Sequence, residues 1–206
     1  MPFTTYGLDK FFAQGISELS ECNAPDLAEH FAEVEDLIHN FILNSIFTSP
    51  LPTEYKPYIF GIIRRVQMAL VEYQNGRTLL LLYLNDSKKN TSLYFQALSH
   101  FEIAVTQLYQ AYEFRRKLGK KIESKESNLF EKGDGSSLEK LNRIYNISKH
   151  LEASTIPEGN LHHVWISNNG ICASGVTMSF TELADLVKEY IALANAFSNP
   201  NQDSIP

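Results

Sequence analysis

Apolar residues recur at steps of three and four positions in several long stretches of the chain, a spacing typical of amphipathic helices. The first stretch, residues 24–47, has Pro25 near its beginning and predicts a helix. Its apolar positions are Leu27, Phe31, Val34, Ile38 and Phe41. Three prolines within residues 49–57 then predict a connector. This connector divides an N-terminal helical segment, residues 1–50, from a main body, residues 51–206, and we expect the two to form one compact unit.

The main body begins with two longer helical patterns, residues 57–85 and 92–122. The end of the first pattern is apolar almost all round, which predicts burial in the middle of a bundle. Residues 123–137 are polar and rich in Gly and Ser, as loops are. Ser136 with Glu139 is a capping box and indicates the start of another helix.

The sequence pattern changes at residues 162–180, where two stretches typical of extended strands flank Asn169-Gly170. This dipeptide favours a tight β-hairpin. A second capping box, Ser179 with Glu182, predicts a last helix over residues 180–197. The whole pattern predicts an all-α fold: a helical bundle with one small β-hairpin before the C-terminal helix. The helix predicted over residues 24–47 is then either part of the bundle core or an arm that binds a partner.

Composition narrows the class of protein. With 206 residues the chain is long enough for one full core. A formal net charge of −6 argues against a protein that coats nucleic acid by charge alone, although a local basic site is compatible with it. Cys22 and Cys172 lie far apart, which suits a reducing compartment. The start of the chain does not resemble a signal peptide, and the longest apolar run, residues 79–84, is too short to span a bilayer. We expect a cytoplasmic protein with no membrane contact.

Candidate chemistry lies in residues 138–154, "LEKLNRIYNISKHLEAS". On a helix, Arg143 and His150 are within about 20° of each other because they are seven residues apart, and Asn146 lies between them. The core side carries Leu138, Leu141, Ile144, Tyr145 and Leu151. The polar stripe has two interpretations. It is an ordinary solvated face, in which Glu139 and Arg143 form an i,i+4 ion pair, or it is a set of groups that bind one phosphate.

The second interpretation has a chemical basis. Arginine holds a phosphate through parallel charge-assisted hydrogen bonds. Histidine titrates near neutrality and can transfer a proton to or from a ribose oxygen. Asparagine can orient either group or donate to developing negative charge. Together, Arg143, Asn146 and His150 could cleave RNA without a metal, with the 2′-hydroxyl of the RNA as the nucleophile.

The stretch "RIYNISKH" resembles the motif of the HEPN superfamily (higher eukaryotes and prokaryotes nucleotide-binding domain), in which four to six residues stand between an arginine and a histidine; here six residues separate Arg143 from His150. The preceding "YFQALSHFEIAVTQLYQAYEFRRKL" is similar to the long helix before that motif, and the resemblance covers roughly residues 57–197. It implies a bundle of four or five helices that usually dimerises, so that two motifs meet in a shared cleft. One position departs from the pattern: active members carry a polar residue directly after the arginine, and this chain has Ile144 there.

The resemblance also implies a function. Active members are metal-independent ribonucleases of toxin–antitoxin and phage-defence systems. On that pattern Arg143 holds the scissile phosphate, His150 transfers a proton and Asn146 supports them, with no cofactor. The expected partners are a second copy of the chain, an RNA substrate, and an antitoxin or nucleotidyltransferase-like protein. The alternatives are a non-catalytic HEPN-like interaction module that binds a protein or nucleotide partner, and an unrelated helical bundle in which the spacing is accidental.

Further basic residues are candidates for binding RNA: Arg115, Arg116, Lys120 and Lys149. They could guide the backbone of RNA towards the cleft. Positive residues also gather at the C-terminal ends of helices because the helix dipole favours them there. His162 and His163 are adjacent and would point to opposite faces of a strand, so the pair does not predict a metal site.

Overall fold

The computed structural model describes residues 5–11, 13–47, 52–123, 129–149 and 164–198 of the chain. The described part is mostly helical. Its helices are α1 (Thr5–Phe11), α2 (Phe31–Glu35), α3 (Leu37–Phe47), α4 (Lys56–Asn85), α5 (Thr91–Glu123), α6 (Ser137–Lys149) and α7 (Phe180–Ser198). A 3₁₀ turn, Ala28–His30, precedes α2, and the strands β1 (Val164–Ser167), β2 (Gly170–Ala173) and β3 (Val176–Ser179) precede α7. The predicted helical bundle is confirmed.

Helices α4 and α5 form a long antiparallel hairpin in the middle of the bundle. Edge-to-face ring contacts join Tyr73 to Phe101 and Tyr83 to Tyr94 along their common length. Gly76 lets the two helices approach closely: a Cβ there would lie 3.1 Å from the ring of Phe101. The helices predicted over residues 57–85 and 92–122 are confirmed, since α4 and α5 begin and end within one residue of the predicted bounds.

The N-terminal segment packs on this hairpin and on α7. Leu27, Val34, Leu37 and Phe41 are all at most 5% exposed, so they belong to the core. At the far end, the Oγ of Ser198 donates to the carbonyl of Leu37. The segment is nevertheless not the single helix predicted over residues 24–47.

Two local features interrupt that predicted helix. The carboxylate of Asp26 accepts the backbone N–H of Ala28 at 3.0 Å, a local turn directly before the 3₁₀ turn that starts at residue 28. At Asp36 the backbone leaves the helical region, with φ −96° and ψ 0°, and separates α2 from α3. The helical turns of this segment therefore start at residue 28 and break at Asp36, although its apolar positions follow one helical period.

The sheet has three antiparallel strands in the order β1-β2-β3. The predicted hairpin is confirmed, but its turn is Asn168-Asn169, one residue earlier than the predicted Asn169-Gly170, because Gly170 already pairs with Ser167 as the first residue of β2. A second turn at Ser174 and Gly175 adds β3, which the prediction of a single hairpin missed. Gly175 has φ +69°, a conformation that favours glycine. Strand β2 is buried along its whole length because it lies between the other two.

The capping boxes have different outcomes. At the start of α7, the amide of Ser179 donates to the carboxylate of Glu182 at 2.8 Å, and the amide of Glu182 donates to Ser179 Oγ at 3.1 Å, so this box is confirmed. At α6, the amide of Glu139 donates to Ser136 Oγ at 3.2 Å, but the carboxylate of Glu139 binds elsewhere. None of the described helices combines the length and the apolar character that a membrane crossing needs.

Candidate functional site

Helix α6 presents the predicted apolar side to the core. Leu141 and Ile144 are fully buried, and Arg143 between them is exposed. Burial explains the apolar residue at position 144, since a polar side chain there would enter the core without a partner. His150 and Leu151 lie outside the described residues.

The guanidinium of Arg143 lies beside the turn between β2 and β3. Its Nη2 donates to the carbonyl oxygen of Gly175 at 2.9 Å. A Cβ on Gly175 would approach this nitrogen to 3.5 Å. Among the described residues this is the one hydrogen bond of the Arg143 side chain. A guanidinium carries five N–H donors, so most of them remain available to a ligand.

The prediction that Glu139 and Arg143 form an ion pair is wrong. Glu139 is 6% exposed, and its two carboxylate oxygens accept the backbone N–H groups of Gly133 at 2.6 Å and Gly135 at 2.8 Å. Both glycines have positive φ, so the loop curls around the carboxylate. Two charge-assisted bonds to backbone amides hold Glu139 away from Arg143.

Two further polar residues of α6 have partners, Asn146 on the polar stripe and Ser148 on the side that faces α5. Asn146 Nδ2 donates to Asn142 Oδ1, one turn earlier, at 3.0 Å, so this amide is oriented by α6 itself. Ser148 Oγ donates to the carboxylate of Glu102 on α5 at 2.9 Å. Burial between the helices raises the pKa of Glu102, and the bond from Ser148 offsets this in part. A carboxyl group that is harder to ionise therefore lies at the end of α6.

An aromatic stack joins α5 to α6. The rings of Tyr109 and Tyr145 are stacked with centroids 4.0 Å apart and planes at 19°. The ammonium group of Lys149 lies 5.6 Å from the centroid of Tyr145, a cation–π contact. Lys149 is thus placed by Tyr145 and, among the candidate RNA-binding residues, is the one on the same helix as Arg143.

The basic residues at the end of α5 do not share one surface. Arg115 pairs with Glu189 of α7 at 2.8 Å and lies 5.7 Å from the ring centroid of Tyr190. Arg116 pairs with Glu113 of its own helix at 3.1 Å. Lys120 is exposed near the end of the helix. Consecutive positions point about 100° apart on a helix, which separates Arg115 from Arg116.

Sequence reasoning missed two neighbours of α6: Gly175, beside the polar stripe, and Glu102, on the side that faces α5. Gly175 could have been noticed from "ASGVT", a Ser-Gly pair inside an extended run, which often marks a turn. Glu102 had no such signal because an isolated glutamate on a helix looks like an ordinary surface residue. No group of three His, Cys, Asp or Glu side chains that could hold a metal occurs within the described ranges.

Comparison of the chain with protein-family models, with curated proteins and with solved structures finds no match.

Proposed function

We propose that this chain is a HEPN-like, metal-independent ribonuclease. The side chains of Arg143, His150 and Asn146 would carry out the cleavage of RNA. The observation that carries the proposal is the exposed guanidinium of Arg143, which has N–H donors to spare on the face of α6 opposite the buried Leu141 and Ile144. An arginine in this position can bind a phosphate in two-point fashion.

The proposed reaction is a transesterification within the RNA. Arg143 holds the non-bridging oxygens of the scissile phosphate and offsets the negative charge of the transition state. His150 transfers a proton, either from the attacking 2′-hydroxyl or to the departing 5′-oxygen, and Asn146 orients the reacting groups. The 2′-oxygen forms a bond to phosphorus as the bond to the 5′-oxygen breaks. The products are a 2′,3′-cyclic phosphate and a 5′-hydroxyl end.

A homodimer would complete the site. Two α6 helices facing each other across a shared cleft would place both Arg143–His150 pairs against one RNA strand. Such an enzyme would act in the cytoplasm as a toxin or phage-defence effector, restrained by an antitoxin or a nucleotidyltransferase-like partner.

Cleavage in the presence of EDTA tests the proposal. The purified protein is incubated with total RNA and with a labelled oligonucleotide, and the product ends are identified. We expect Arg143→Ala and His150→Ala each to lower the cleavage rate by about 100-fold or more. Arg64→Ala is the matched control because Arg64 is an exposed arginine on α4 whose guanidinium lies over the ring of Phe60. Equal cleavage by wild type, R143A and H150A would overturn the assignment.

A non-catalytic interaction module is the second candidate, and two observations favour it. The guanidinium of Arg143 already has a structural partner in the carbonyl of Gly175. The position after it, Ile144, belongs to the core and cannot supply a polar group to a reaction. For this candidate, wild type would release no cyclic-phosphate ends, and Arg143→Ala would instead weaken the association with the partner.

A further inference from the structure

A small surface cavity of about 220 Å³ lies between the N-terminal segment and strand β1. At roughly 30 Å³ for each water, its volume corresponds to about seven water molecules, so it admits only a small ligand. The cavity is beside the turn between β1 and β2, whereas Arg143 contacts the turn at the other end of β2. It is therefore separate from the proposed cleavage site.

Hydrogen bonds hold the two walls of this cavity together. The side-chain Oδ1 of Asn168 accepts the backbone N–H groups of Ser20 at 3.0 Å and Glu21 at 3.3 Å. The backbone N–H of Asn23 donates to the carbonyl of Asn168 at 3.1 Å, and its Nδ2 donates to Asn169 Oδ1 at 2.8 Å. The N-terminal segment is thus fixed to the first hairpin turn, and the cavity between them is already formed without a ligand.

Trp165, the single tryptophan of the chain, lines the cavity. It alternates along β1 with the buried Val164 and Ile166, so its indole projects from the opposite face of the sheet and is partly exposed. The indole makes no ring contact, cation contact or hydrogen bond with any residue that the structure describes. Among the aromatic side chains, tryptophan attracts a cation to its ring face most strongly.

Two polar side chains of the facing wall are also without partners. Gln14 and Glu18 are exposed, and among the described residues neither side chain forms a hydrogen bond or an ion pair. No described lysine or arginine lines the cavity to neutralise Glu18. The surrounding sequence is acidic, since residues 1–50 contain eight Asp and Glu residues but only one Lys and no Arg. Negative charge and an unpartnered indole in one small cavity indicate a cationic ligand.

We propose that this cavity binds a small alkylammonium cation of about the size of choline. The ammonium group lies against the indole of Trp165 and beside the carboxylate of Glu18, and the amide of Gln14 binds a hydroxyl group of the ligand. The cation is either free in solution or the end of a methylated lysine side chain of another protein, since both present the same ammonium group.

The fluorescence of Trp165 reports binding at this cavity directly, because the chain has no other tryptophan. The full chain is titrated with choline and with the neutral alcohol in which a carbon atom replaces the nitrogen of choline. This matched probe keeps the shape of the ligand and removes its charge. We expect choline to give a saturable change in emission and the neutral alcohol to bind at least about tenfold more weakly.

A peptide that carries trimethyllysine distinguishes the two sources of the cation. Tighter binding of the peptide than of choline assigns the site to a protein side chain. Equal or tighter binding of choline assigns it to a free amine.

Two variants locate the binding. Glu18→Gln removes the charge of an exposed side chain and should weaken choline binding about threefold to fivefold, as expected for an ion pair in contact with water. Trp165→Leu keeps an apolar side chain but removes the ring, and should weaken choline binding about threefold to tenfold in isothermal titration. Thermal denaturation checks the folding of this variant. Glu35→Gln is the matched control because Glu35 is an exposed glutamate at the end of α2 that does not line the cavity.

The outcome is independent of the proposed cleavage, since Arg143→Ala should leave choline binding unchanged. Absence of a saturable fluorescence change with choline and with the peptide at millimolar concentration would overturn the proposal. Equal binding of choline and its neutral analogue would also overturn it, because the ligand would then be recognised without its charge. Equal weakening by Glu18→Gln and Glu35→Gln has the same consequence, since the contact would then be general charge attraction.

Discussion

Arg143 Nη2 donates a hydrogen bond of 2.9 Å to the carbonyl oxygen of Gly175, and this bond connects α6 to the turn between β2 and β3. It fixes the side chain that we propose to hold a phosphate. The same contact gives Arg143 a structural role, so the two roles need separate measurements.

The contribution of Arg143 to the stability of the fold should be small. Because the side chain is exposed, Arg143→Ala should lower the free energy of unfolding by at most about 1 kcal/mol. Urea denaturation measures this, with Arg64→Ala as the control for loss of an exposed arginine. A loss above about 3 kcal/mol would show that Arg143 is mainly a structural residue, and any loss of cleavage would then follow from unfolding.

Two helical glycines should respond in opposite directions to alanine. Gly76→Ala places a Cβ 3.1 Å from the ring of Phe101 and 3.2 Å from the carbonyl of Ala97. Phe101 is fully buried between Tyr73 and Phe180, so its ring has no room to move away from the new methyl group. We therefore expect Gly76→Ala to lower the free energy of unfolding by about 1–3 kcal/mol.

Gly119→Ala is the matched substitution in α5, where a Cβ meets no atom within 4 Å. Because alanine forms helices more readily than glycine, Gly119→Ala should raise the free energy of unfolding by about 0.5–1 kcal/mol. Thermal denaturation of both variants compares them. Equal effects on stability would contradict the close packing of α4 on α5 at Gly76.

The carboxylate of Glu139 should stabilise the loop before α6. Glu139→Ala leaves the amides of Gly133 and Gly135 without their acceptor and should cost about 2–3 kcal/mol. Glu139→Gln keeps one acceptor and should cost about half as much. Chemical denaturation measures both, and Glu131→Ala, an exposed glutamate of the same loop, should change stability by less than about 0.5 kcal/mol.

Glu102 should make stability depend on pH. Burial raises the pKa of this carboxyl in the folded state above its unfolded value of about 4.3. As pH rises through the unfolded value, the unfolded chain loses its proton first, so folding becomes less favourable until the folded pKa is passed. Glu102→Gln removes this penalty and can still accept the bond from Ser148.

The measurement for Glu102 is the melting temperature of wild type and variant between pH 4 and pH 8. The melting temperature of Glu102→Gln should rise relative to that of wild type as pH increases. The difference between the two melting temperatures should be smallest at pH 4. Glu131→Gln serves as the exposed control and should show little change. A difference for Glu102→Gln that is independent of pH would contradict the burial of an ionisable group there.

Sequence alone determined the elements whose signals are local. The apolar periodicity predicted α4 and α5, because each must bury one face along its whole length. Asn169-Gly170 predicted a hairpin at this place, and the chain turns at the neighbouring pair Asn168-Asn169. The capping box of Ser179 and Glu182 predicted the start of α7. The side of α6 that packs on the core was also determined, since Leu141 and Ile144 are buried as their spacing indicates.

Tertiary structure decided which groups the polar side chains of α6 bind. The partner of Arg143 is Gly175, 32 residues away, and the partner of Ser148 is Glu102, 46 residues away. The carboxylate of Glu139 preferred two loop amides to the arginine one turn away, because the folded loop offers fixed donors that a helix wheel does not contain. Periodicity predicts the direction of a side chain from its own helix, whereas its partner depends on the packing of segments that are distant in sequence.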